Sequence, residues 1–105
     1  MSRGQRGEIW VVDLGMVAKT RPALLLSVAY DERERALVTF IPRTLSTRGT
    51  RFEVAHSGRG FEPGAFDAQG VTTVPDVQLV RRLGVIDAAT LAQVEAALKR
   101  WLGLA

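Results

Sequence analysis

Residues 22–28, Pro-Ala-Leu-Leu-Leu-Ser-Val, are apolar at odd and even positions alike. Because successive side chains of a β-strand point to opposite faces, a strand with this pattern must be covered on both sides. The stretch therefore predicts a central strand. Pro22 fits the first position of that strand, where its missing backbone N–H does least harm.

Short stretches rich in β-branched and aromatic residues predict the other strands. Residues 8–14, Glu-Ile-Trp-Val-Val-Asp-Leu, lie between two glycines, and residues 36–41, Ala-Leu-Val-Thr-Phe-Ile, are stopped by Pro42. Residues 56–64 contain three glycines and one proline and are predicted to form a loop. Three further short strands are expected at residues 52–55, 71–74 and 79–83.

One amphipathic helix is predicted at the carboxyl end of the chain. Asp87 is a suitable N-cap, because its carboxylate can accept hydrogen bonds from the first free N–H groups of a helix. Gly103 is expected to end the helix. Between these two residues an apolar stripe recurs at helical spacing and comprises Leu91, Val94, Leu98, Trp101 and Leu102. The pattern predicts a mainly β (α+β) fold, a small and strongly bent antiparallel sheet or barrel with the helix packed on it.

Length and composition limit the class of protein. The chain has 105 residues, of which 47% are hydrophobic, enough for one domain over residues 1–105 but not for two. It has no cysteine, which excludes disulfide scaffolds, zinc ribbons, iron–sulfur clusters and thiol nucleophiles. The acidic residues show no metal-ligand spacing. No apolar run approaches the roughly 20 residues of a membrane span, and no signal-peptide core follows the first residues. A soluble cytoplasmic protein without membrane contact is predicted.

Positive charge is concentrated in the first part of the chain. The formal net charge is +3, with +4 on residues 1–60 and −1 on residues 61–105. Arg43, Arg48 and Arg51 lie in a stretch without an acidic residue. A guanidinium donates two parallel hydrogen bonds to a phosphate, so this stretch is typical of a nucleic-acid contact. The alternative is an ordinary protein surface on which a high-GC coding bias favours arginine over lysine.

Three motifs in this order resemble the MazF/PemK toxins, the mRNA interferases of bacterial toxin–antitoxin pairs. They are residues 6–14 (Arg-Gly-Glu-Ile-Trp-Val-Val-Asp-Leu), 20–27 (Thr-Arg-Pro-Ala-Leu-Leu-Leu-Ser) and 41–44 (Ile-Pro-Arg-Thr), and the similarity continues through residues 67–69 and 79–84. The resemblance implies an SH3-like barrel that forms a homodimer and cleaves single-stranded RNA without a metal or another cofactor. It also implies a cognate antitoxin protein as a partner.

Two residues match the catalytic positions of that family. Arg21, directly before Pro22, matches the catalytic arginine, and Thr44, two residues after Pro42, matches the catalytic threonine. A fixed guanidinium can stabilise the charge that develops on a phosphorane, and a hydroxyl can donate to a phosphate oxygen. The alternatives are a surface ion pair of Arg21 with Asp13 or Glu8, and a strand-end cap for Thr44.

Further residues are candidates for binding RNA. Gln69 could read a base through its amide, or it could be a buried glutamine that stabilises a turn. The other candidates have basic or hydroxyl side chains. They could line an RNA-binding groove and contact phosphates, or they could belong to solvated loops. The connection at residues 15–20 is shorter than the family's usual loop, which leaves the RNA sequence and the antitoxin-binding mode open. The candidates other than Gln69 are Lys19, Thr20, Arg43, Thr47, Arg48 and Arg51.

The sequence thus predicts a metal-independent, sequence-specific endoribonuclease, the toxin of a type II toxin–antitoxin system. Cleavage through the 2′-hydroxyl is expected to leave a 2′,3′-cyclic phosphate and a 5′-hydroxyl. One alternative is a non-enzymatic, CcdB-like barrel that binds a protein target such as gyrase. A catalytically weak RNA-binding module is another.

Overall fold

The computed structural model describes residues 3–15 and 19–104. Within these ranges the chain is mainly β, with two short 3₁₀ helices and one α-helix at the carboxyl end. The 3₁₀ helices are Ala68–Gly70 and Asp76–Gln78. The strands and the α-helix are β1 (Glu8–Asp13), β2 (Thr20–Leu25), β3 (Leu37–Thr44), β4 (Glu53–Gly58), β5 (Phe61–Asp67), β6 (Thr72–Pro75), β7 (Leu79–Val85) and α1 (Ala88–Leu102).

The strands form one antiparallel sheet in the order β4-β5-β3-β2-β1-β7, with β6 also paired to β3. The first half of β3 pairs with β6, and its last two residues pair with β5. Strands β6 and β7 lie at opposite sides of β3-β2-β1 but are joined only by the second 3₁₀ helix, so the sheet must curl back on itself. The predicted fold class, a bent antiparallel sheet with a carboxyl-terminal helix, is confirmed.

The central strand β2 contributes to two separate hydrophobic clusters. Ala23 and Leu25 pack with Phe40 of β3 in a cluster that β6 and β7 help to form. Leu24 and the following residue, Leu26, pack with Ile41 in a second cluster. The second cluster includes Val94 and Ala97 of α1. Strand β2 is therefore covered on both faces, as its apolar pattern predicted.

The α-helix has the two ends expected from the sequence. Asp87 Oδ1 accepts a hydrogen bond from the Thr90 N–H at 2.6 Å, which satisfies one of the free donors of the first turn. Gly103 ends the helix with a φ of 71°, a left-handed conformation that glycine adopts without strain. No helix in the described ranges is long and apolar enough to cross a membrane.

The predicted loop at residues 56–64 is wrong. Strand β4 continues to Gly58 and β5 begins at Phe61, so this segment is a β-hairpin with its turn at residues 58–61. Gly58, Arg59 and Gly60 all have positive φ values, which the tight turn requires. Gly64 lies inside β5 because β5 approaches Thr44 too closely for a side chain: an added Cβ would lie 2.6 Å from the Thr44 carbonyl oxygen.

Pro42 does not end β3, contrary to the sequence-based prediction. The strand continues through Arg43 to Thr44. Pairing with β6 stops at Phe40 and pairing with β5 starts at Arg43, so Pro42 lies between the two ladders. A proline can occupy such a position because no ladder hydrogen bond requires its N–H there. The same continuation brings Thr44 to the end of β3.

Candidate active site

The pairing of β2 with β3 decides how Arg21 and Thr44 are related. Ala23 is paired with Pro42, Leu24 with Ile41 and Leu25 with Phe40. Arg21 lies two residues before Ala23, and Thr44 lies two residues after Pro42. The antiparallel register, continued by two residues, therefore sets Arg21 opposite Thr44 at one end of the strand pair. Both residues belong to their strands and not to a loop.

The Arg21 side chain is exposed and unengaged. Within residues 3–15 and 19–104 it has no hydrogen bond and no ion pair. The two acids proposed as its surface partners are used elsewhere. Glu8 pairs with Arg82 at 2.7 Å, and Asp13 Oδ1 accepts from the Gly15 N–H at 2.9 Å. The planar donor fork of Arg21 is thus available to an anion.

The Thr44 hydroxyl has a defined orientation. Its Oγ1 accepts a hydrogen bond from the Ser46 N–H at 3.0 Å. This is the strand-end cap that was the alternative reading of Thr44. A hydroxyl that accepts one hydrogen bond still has its own proton to donate. The cap therefore orients the hydroxyl and leaves a donor for a phosphate oxygen.

Two cavities flank the end of β3. One, of about 400 Å³, is lined by Pro22 and by Arg43 and Leu45, the two neighbours of Thr44. The other, of about 450 Å³, is lined by Gly64 and Ala65, and Ala65 is the residue paired with Thr44. The site has room for an extended ligand on both sides of Thr44.

Arg43 is buried, not a groove residue with a free side chain. Its side chain is only 6% exposed. Nε donates to His56 Nδ1 at 3.0 Å, and Nη2 donates to the carbonyl oxygens of His56 (2.7 Å) and Glu62. The guanidinium also lies 5.1 Å from the centre of the Phe61 ring. The Nε and Nη2 donors of Arg43 thus already have protein acceptors, so a contact of Arg43 with RNA phosphate, which stays a prediction, would have to use Nη1 from the cavity that Arg43 helps to line.

His56 does not belong to a loop, contrary to the prediction for residues 56–64. It lies in β4, half-buried, with its ring 4.8 Å from that of Phe66 and 5.2 Å from that of Phe61. Burial lowers the pKa of His56 below its usual 6.5, the charge of Arg43 lowers it further, and Asp87 acts in the opposite direction. Since Nδ1 accepts from Arg43, the ring is neutral with its proton on Nε2. Its alternation with Val54 was the signal for a longer strand.

Lys19 and Thr20 lie at the tight connection between β1 and β2. The Leu14 N–H donates to the Lys19 carbonyl at 2.8 Å, and the Lys19 N–H donates to the Gly15 carbonyl at 2.7 Å. Both side chains are exposed near Arg21 in the chain. Residues 16–18 of the shortened connection lie outside the described residues. The structure thus places Lys19 and Thr20 at the same end of β2 as Arg21.

The loop between β3 and β4 carries Thr47, Arg48 and Arg51. The Glu53 carboxylate accepts from the backbone N–H groups of Arg48 and Gly49 at 2.8–3.1 Å, which fixes the loop from within. Thr47 lines the cavity beside Ala65. Arg51 instead stacks 4.7 Å over Phe52, the ring that packs edge-on against Trp101 of α1. Thr47 and Arg51 are therefore directed to different surroundings.

Gln69 lies in the first 3₁₀ helix, after β5. It is exposed, so it is not the buried turn-stabilising glutamine of the alternative interpretation. The turn is stabilised by Asp67, whose Oδ1 accepts from the Gln69 backbone N–H at 3.0 Å. The next residue, Gly70, approaches the Pro42 ring so closely that an added Cβ would lie 2.6 Å from Pro42 Cγ. Gln69 thus lies on a turn packed against β3, and its side-chain amide has no hydrogen-bond partner within residues 3–15 and 19–104.

Residues 5–102 match the family of PemK-like, MazF-like toxins of type II toxin–antitoxin systems. The chain belongs to this family. It is similar to an endoribonuclease from a mycobacterial species in complex with its cognate antitoxin, at 27% identity and a TM-score of 0.84 over 98% of each chain. An endoribonuclease from a mycobacterial species is 27% identical, with a TM-score of 0.82 over 99% of this chain and 95% of the other. The Mycobacterium tuberculosis toxin MazF-mt6 is 25% identical, with a TM-score of 0.79 over 93% of this chain and 98% of the other.

Membership in the MazF-like toxins favours the toxin interpretation over the CcdB-like alternative. In this toxin, Arg21 and Thr44 lie at neighbouring strand ends, with Lys19 and Thr20 close to Arg21 in the chain. Arg43 is instead buried, and Arg51 lies over the Phe52 ring. No group of three or more histidine, cysteine, aspartate or glutamate side chains in the described part of the toxin could hold a metal ion.

Proposed function

We propose that this toxin is a metal-independent, sequence-specific endoribonuclease that cleaves single-stranded mRNA, with Arg21 and Thr44 as its catalytic residues. The observation that supports the proposal is the β2–β3 register, which, continued by two residues beyond the Ala23–Pro42 pair, brings Arg21 and Thr44 to the same end of the strand pair. The similarity to mycobacterial endoribonucleases over nearly the whole chain supports the same activity.

The cleavage uses a nucleophile that belongs to the substrate. The ribose 2′-hydroxyl gives up its proton to water as its oxygen attacks the adjacent phosphorus. The bond from phosphorus to the 5′-oxygen breaks, and the 5′-oxygen takes up a proton from water, so that no net proton is consumed. The products are a 2′,3′-cyclic phosphate and a 5′-hydroxyl. Arg21 holds two phosphate oxygens and stabilises the charge of the phosphorane, while Thr44 donates a hydrogen bond to one of these oxygens. An arginine side chain stays protonated in proteins, which suits charge stabilisation better than proton abstraction.

RNA-binding contacts surround this pair. Lys19 and Thr20 precede Arg21, Thr47 and Arg48 follow Thr44, and Gln69 presents a free amide that can read a base edge. Arg51 adds positive charge farther along the loop. We place the reaction in the cytoplasm, where mRNA is found, and infer that two copies form a homodimer.

A cognate antitoxin is the second partner that we propose. One mycobacterial relative was solved in complex with its cognate antitoxin. Residues 1–60 carry a net charge of +4, which suits an acidic antitoxin segment that competes with RNA. Co-expression with the small protein encoded directly upstream is expected to restore growth and to yield a stable complex. Separate elution of the two proteins with persistent toxicity would contradict this pairing.

The activity is tested with a long single-stranded RNA in buffer containing EDTA. We expect wild-type protein to cleave at defined sites, and 2′-O-methylation of the ribose at a cut site to abolish cleavage there. Arg21→Ala is expected to lower the rate by about 10²–10³, the cost of removing one well-placed electrostatic donor. The matched control is Arg33→Ala, since Arg33 is also an exposed arginine and its side chain is 88% accessible.

Two outcomes would overturn the proposal. One is cleavage by Arg21→Ala at the wild-type rate, and the other is cleavage at a 2′-O-methylated site. RNA binding without cleavage by the wild-type protein would instead favour the weak RNA-binding module. Folding of the Arg21→Ala variant is checked by its far-ultraviolet circular dichroism spectrum and its thermal unfolding temperature.

A further inference from the structure

A cluster of hydrogen bonds joins the buried Arg43, near the end of β3, to His56 and Glu62. The Arg43 guanidinium donates from Nε to His56 Nδ1 at 3.0 Å and from Nη2 to the His56 carbonyl at 2.7 Å. The same Nη2 donates to the Glu62 carbonyl. Arg43 of β3 is thus bound to β4 through two atoms of His56 and to β5 through Glu62. A buried arginine is stable only while such acceptors remain in place.

The cluster is continuous with Thr44 through the backbone. His56 is paired with Gly64 across the hairpin, and Thr44 is paired with Ala65. Gly64 is packed so tightly that an added Cβ would lie 2.6 Å from the Thr44 carbonyl oxygen and 3.0 Å from Arg43 Nη1. A displacement of Arg43 is therefore expected to move the backbone that carries Thr44, because Thr44 is the next residue of β3 and Gly64 packs closely against both.

We propose that His56 is a positioning residue for Thr44: its ring nitrogen and its carbonyl hold Arg43, and Arg43 fixes the end of β3. This inference rests on the proposed function, since it assumes that Thr44 acts on the phosphate. His56 touches neither the substrate nor the reacting atoms. It acts on the reaction only through Arg43 and the β3 backbone.

The hydrogen bond between Arg43 Nε and His56 depends on pH, because its acceptor is the titratable Nδ1 atom of the ring. Protonation of His56 Nδ1 replaces the acceptor by an N–H that faces the Arg43 Nε–H, and it sets two cations side by side. Arg43 of β3 faces the ring directly. Glu62 of β5 acts on Arg43, Asp87 before α1 favours the protonated ring, and burial disfavours it. Three further polar residues line the same cavity of about 730 Å³ as His56, namely Arg59 at the hairpin turn, Arg82 of β7 and Thr90 of α1.

Two substitutions distinguish the role of the hydrogen-bond acceptor of His56 from the role of its aromatic ring. In His56→Asn the amide oxygen occupies a position close to that of Nδ1, so it can accept from Arg43 Nε, but it does not titrate. In His56→Phe the aromatic packing against Phe61 and Phe66 remains, but the acceptor is lost. Ser57→Ala, at the next and exposed position of β4, is the control.

At pH 7.5 we expect His56→Phe to lower kcat by between about 10-fold and 100-fold with little change in KM, because a misplaced catalytic group costs rate and not binding. His56→Asn and Ser57→Ala are expected to stay near wild type. As the pH falls from 7.5 to 5.5, the ratio of kcat for His56→Asn to kcat for wild type is expected to rise. A ratio that is independent of pH would overturn the inference, as would wild-type kcat in His56→Phe.

A second measurement does not depend on activity. The backbone amide resonance of Thr44 is expected to shift with pH as His56 titrates in the wild-type protein, and to remain constant over the same range in His56→Asn. If the Thr44 resonance does not follow His56, the inference is wrong even if the RNA is cleaved. If it does follow His56 while Arg21→Ala cleaves at the wild-type rate, the coupling stands and the proposed function fails.

Discussion

Arg21 and Arg43 carry the same side chain in two different environments. Arg21 is exposed, and its side chain has no hydrogen bond or ion pair within the described residues. Arg43 is 6% exposed, and its Nε and Nη2 donate to His56 and Glu62. Burial lowers the pKa of Arg43, while the charge of Glu62 raises it. Arg21 is therefore available to a phosphate, and Arg43 holds β3 to β4 and β5.

The geometry of the guanidinium at position 21 is expected to matter as much as its charge. Lysine at this position keeps the charge but loses the planar fork that holds two phosphate oxygens at once. We therefore expect Arg21→Lys to lose nearly as much as Arg21→Ala, about 10²–10³ in kcat/KM for RNA cleavage. Recovery of the wild-type rate with lysine would show that charge alone is sufficient. Arg33→Lys serves as the control.

At the scale of secondary-structure elements, the β4–β5 hairpin supports the end of β3. It supplies all three acceptor atoms for Arg43 and the partner strand for Thr44. Gly64 allows the close approach that this arrangement requires. The hairpin therefore connects the core to the candidate site.

Gly64→Ala tests this close packing. The added Cβ would lie 2.6 Å from the Thr44 carbonyl oxygen, which is backbone and cannot rotate away. We expect the free energy of unfolding to fall by about 1–3 kcal/mol, the usual cost of overpacking. Denaturant titration measures this loss, and cleavage assays should show a lower kcat. Gly84→Ala is the matched control because its Cβ would meet Phe61 at an ordinary 3.7 Å. Equal stability of both variants would contradict the prediction.

The loop between β3 and β4 is expected to supply electrostatic attraction and not chemistry. Each phosphate contact in a single-stranded complex contributes about 0.7 to the slope of log affinity against log salt concentration. Replacing both Arg48 and Arg51 by alanine should weaken RNA binding and reduce this slope by up to about two contacts. The single variants then show which arginine contributes, since Arg51 lies over Phe52. An unchanged slope would show that the loop faces away from the RNA.

At the scale of the whole molecule, several polar contacts fasten the curled sheet. Arg6 donates to the Leu26 carbonyl and pairs with Glu95 of α1. Glu8 accepts from the Gln5 N–H at 2.7 Å, Trp10 Nε1 at 3.0 Å and Arg82 at 2.7 Å. Burial raises the pKa of Glu8, but these hydrogen bonds outweigh burial and the net pKa is lowered.

The stability of the protein is expected to fall in two stages in acid. A histidine with a lowered pKa binds fewer protons in the folded state than in the unfolded chain, so stability is lost as the pH falls below 6.5. A carboxylate with a lowered pKa contributes stability above its usual 4.5, and this contribution is lost as the pH falls through the folded value. Denaturant unfolding between pH 7.5 and 3 should show both stages.

Two variants show which residue causes each stage of the loss of stability. His56→Asn should remove the first, because His56 is the only histidine of the chain. Glu8→Gln should reduce the second, in which Asp87 takes part because hydrogen bonds from Thr90 lower its pKa. An unchanged loss of stability between pH 7 and 5.5 in His56→Asn would contradict this assignment.

The sequence by itself determined the class of fold and the positions of Arg21 and Thr44. Local patterns carry this information, because alternation, apolar runs and caps depend on neighbours within a few residues. The Asp87 cap and the Gly103 stop predicted the helix ends found in the structure. The apolar run at residues 22–28 predicted the central strand but not its bounds, since β2 spans Thr20–Leu25 and Pro22 is its third residue, not its first. The identity of the family came from motifs of the same short range.

Only the tertiary structure decided what Arg43, His56 and Gly64 do. In the sequence, a glycine-rich stretch with one histidine predicts a loop, and an arginine in a stretch without acidic residues predicts a phosphate contact. In the structure this stretch is a hairpin, and Arg43 is buried because β3 continues past Pro42 and is covered by β5. The contacts that bury Arg43 join residues 13 and 19 positions apart in the chain. Local patterns contain no record of such contacts, since they form only when the sheet curls.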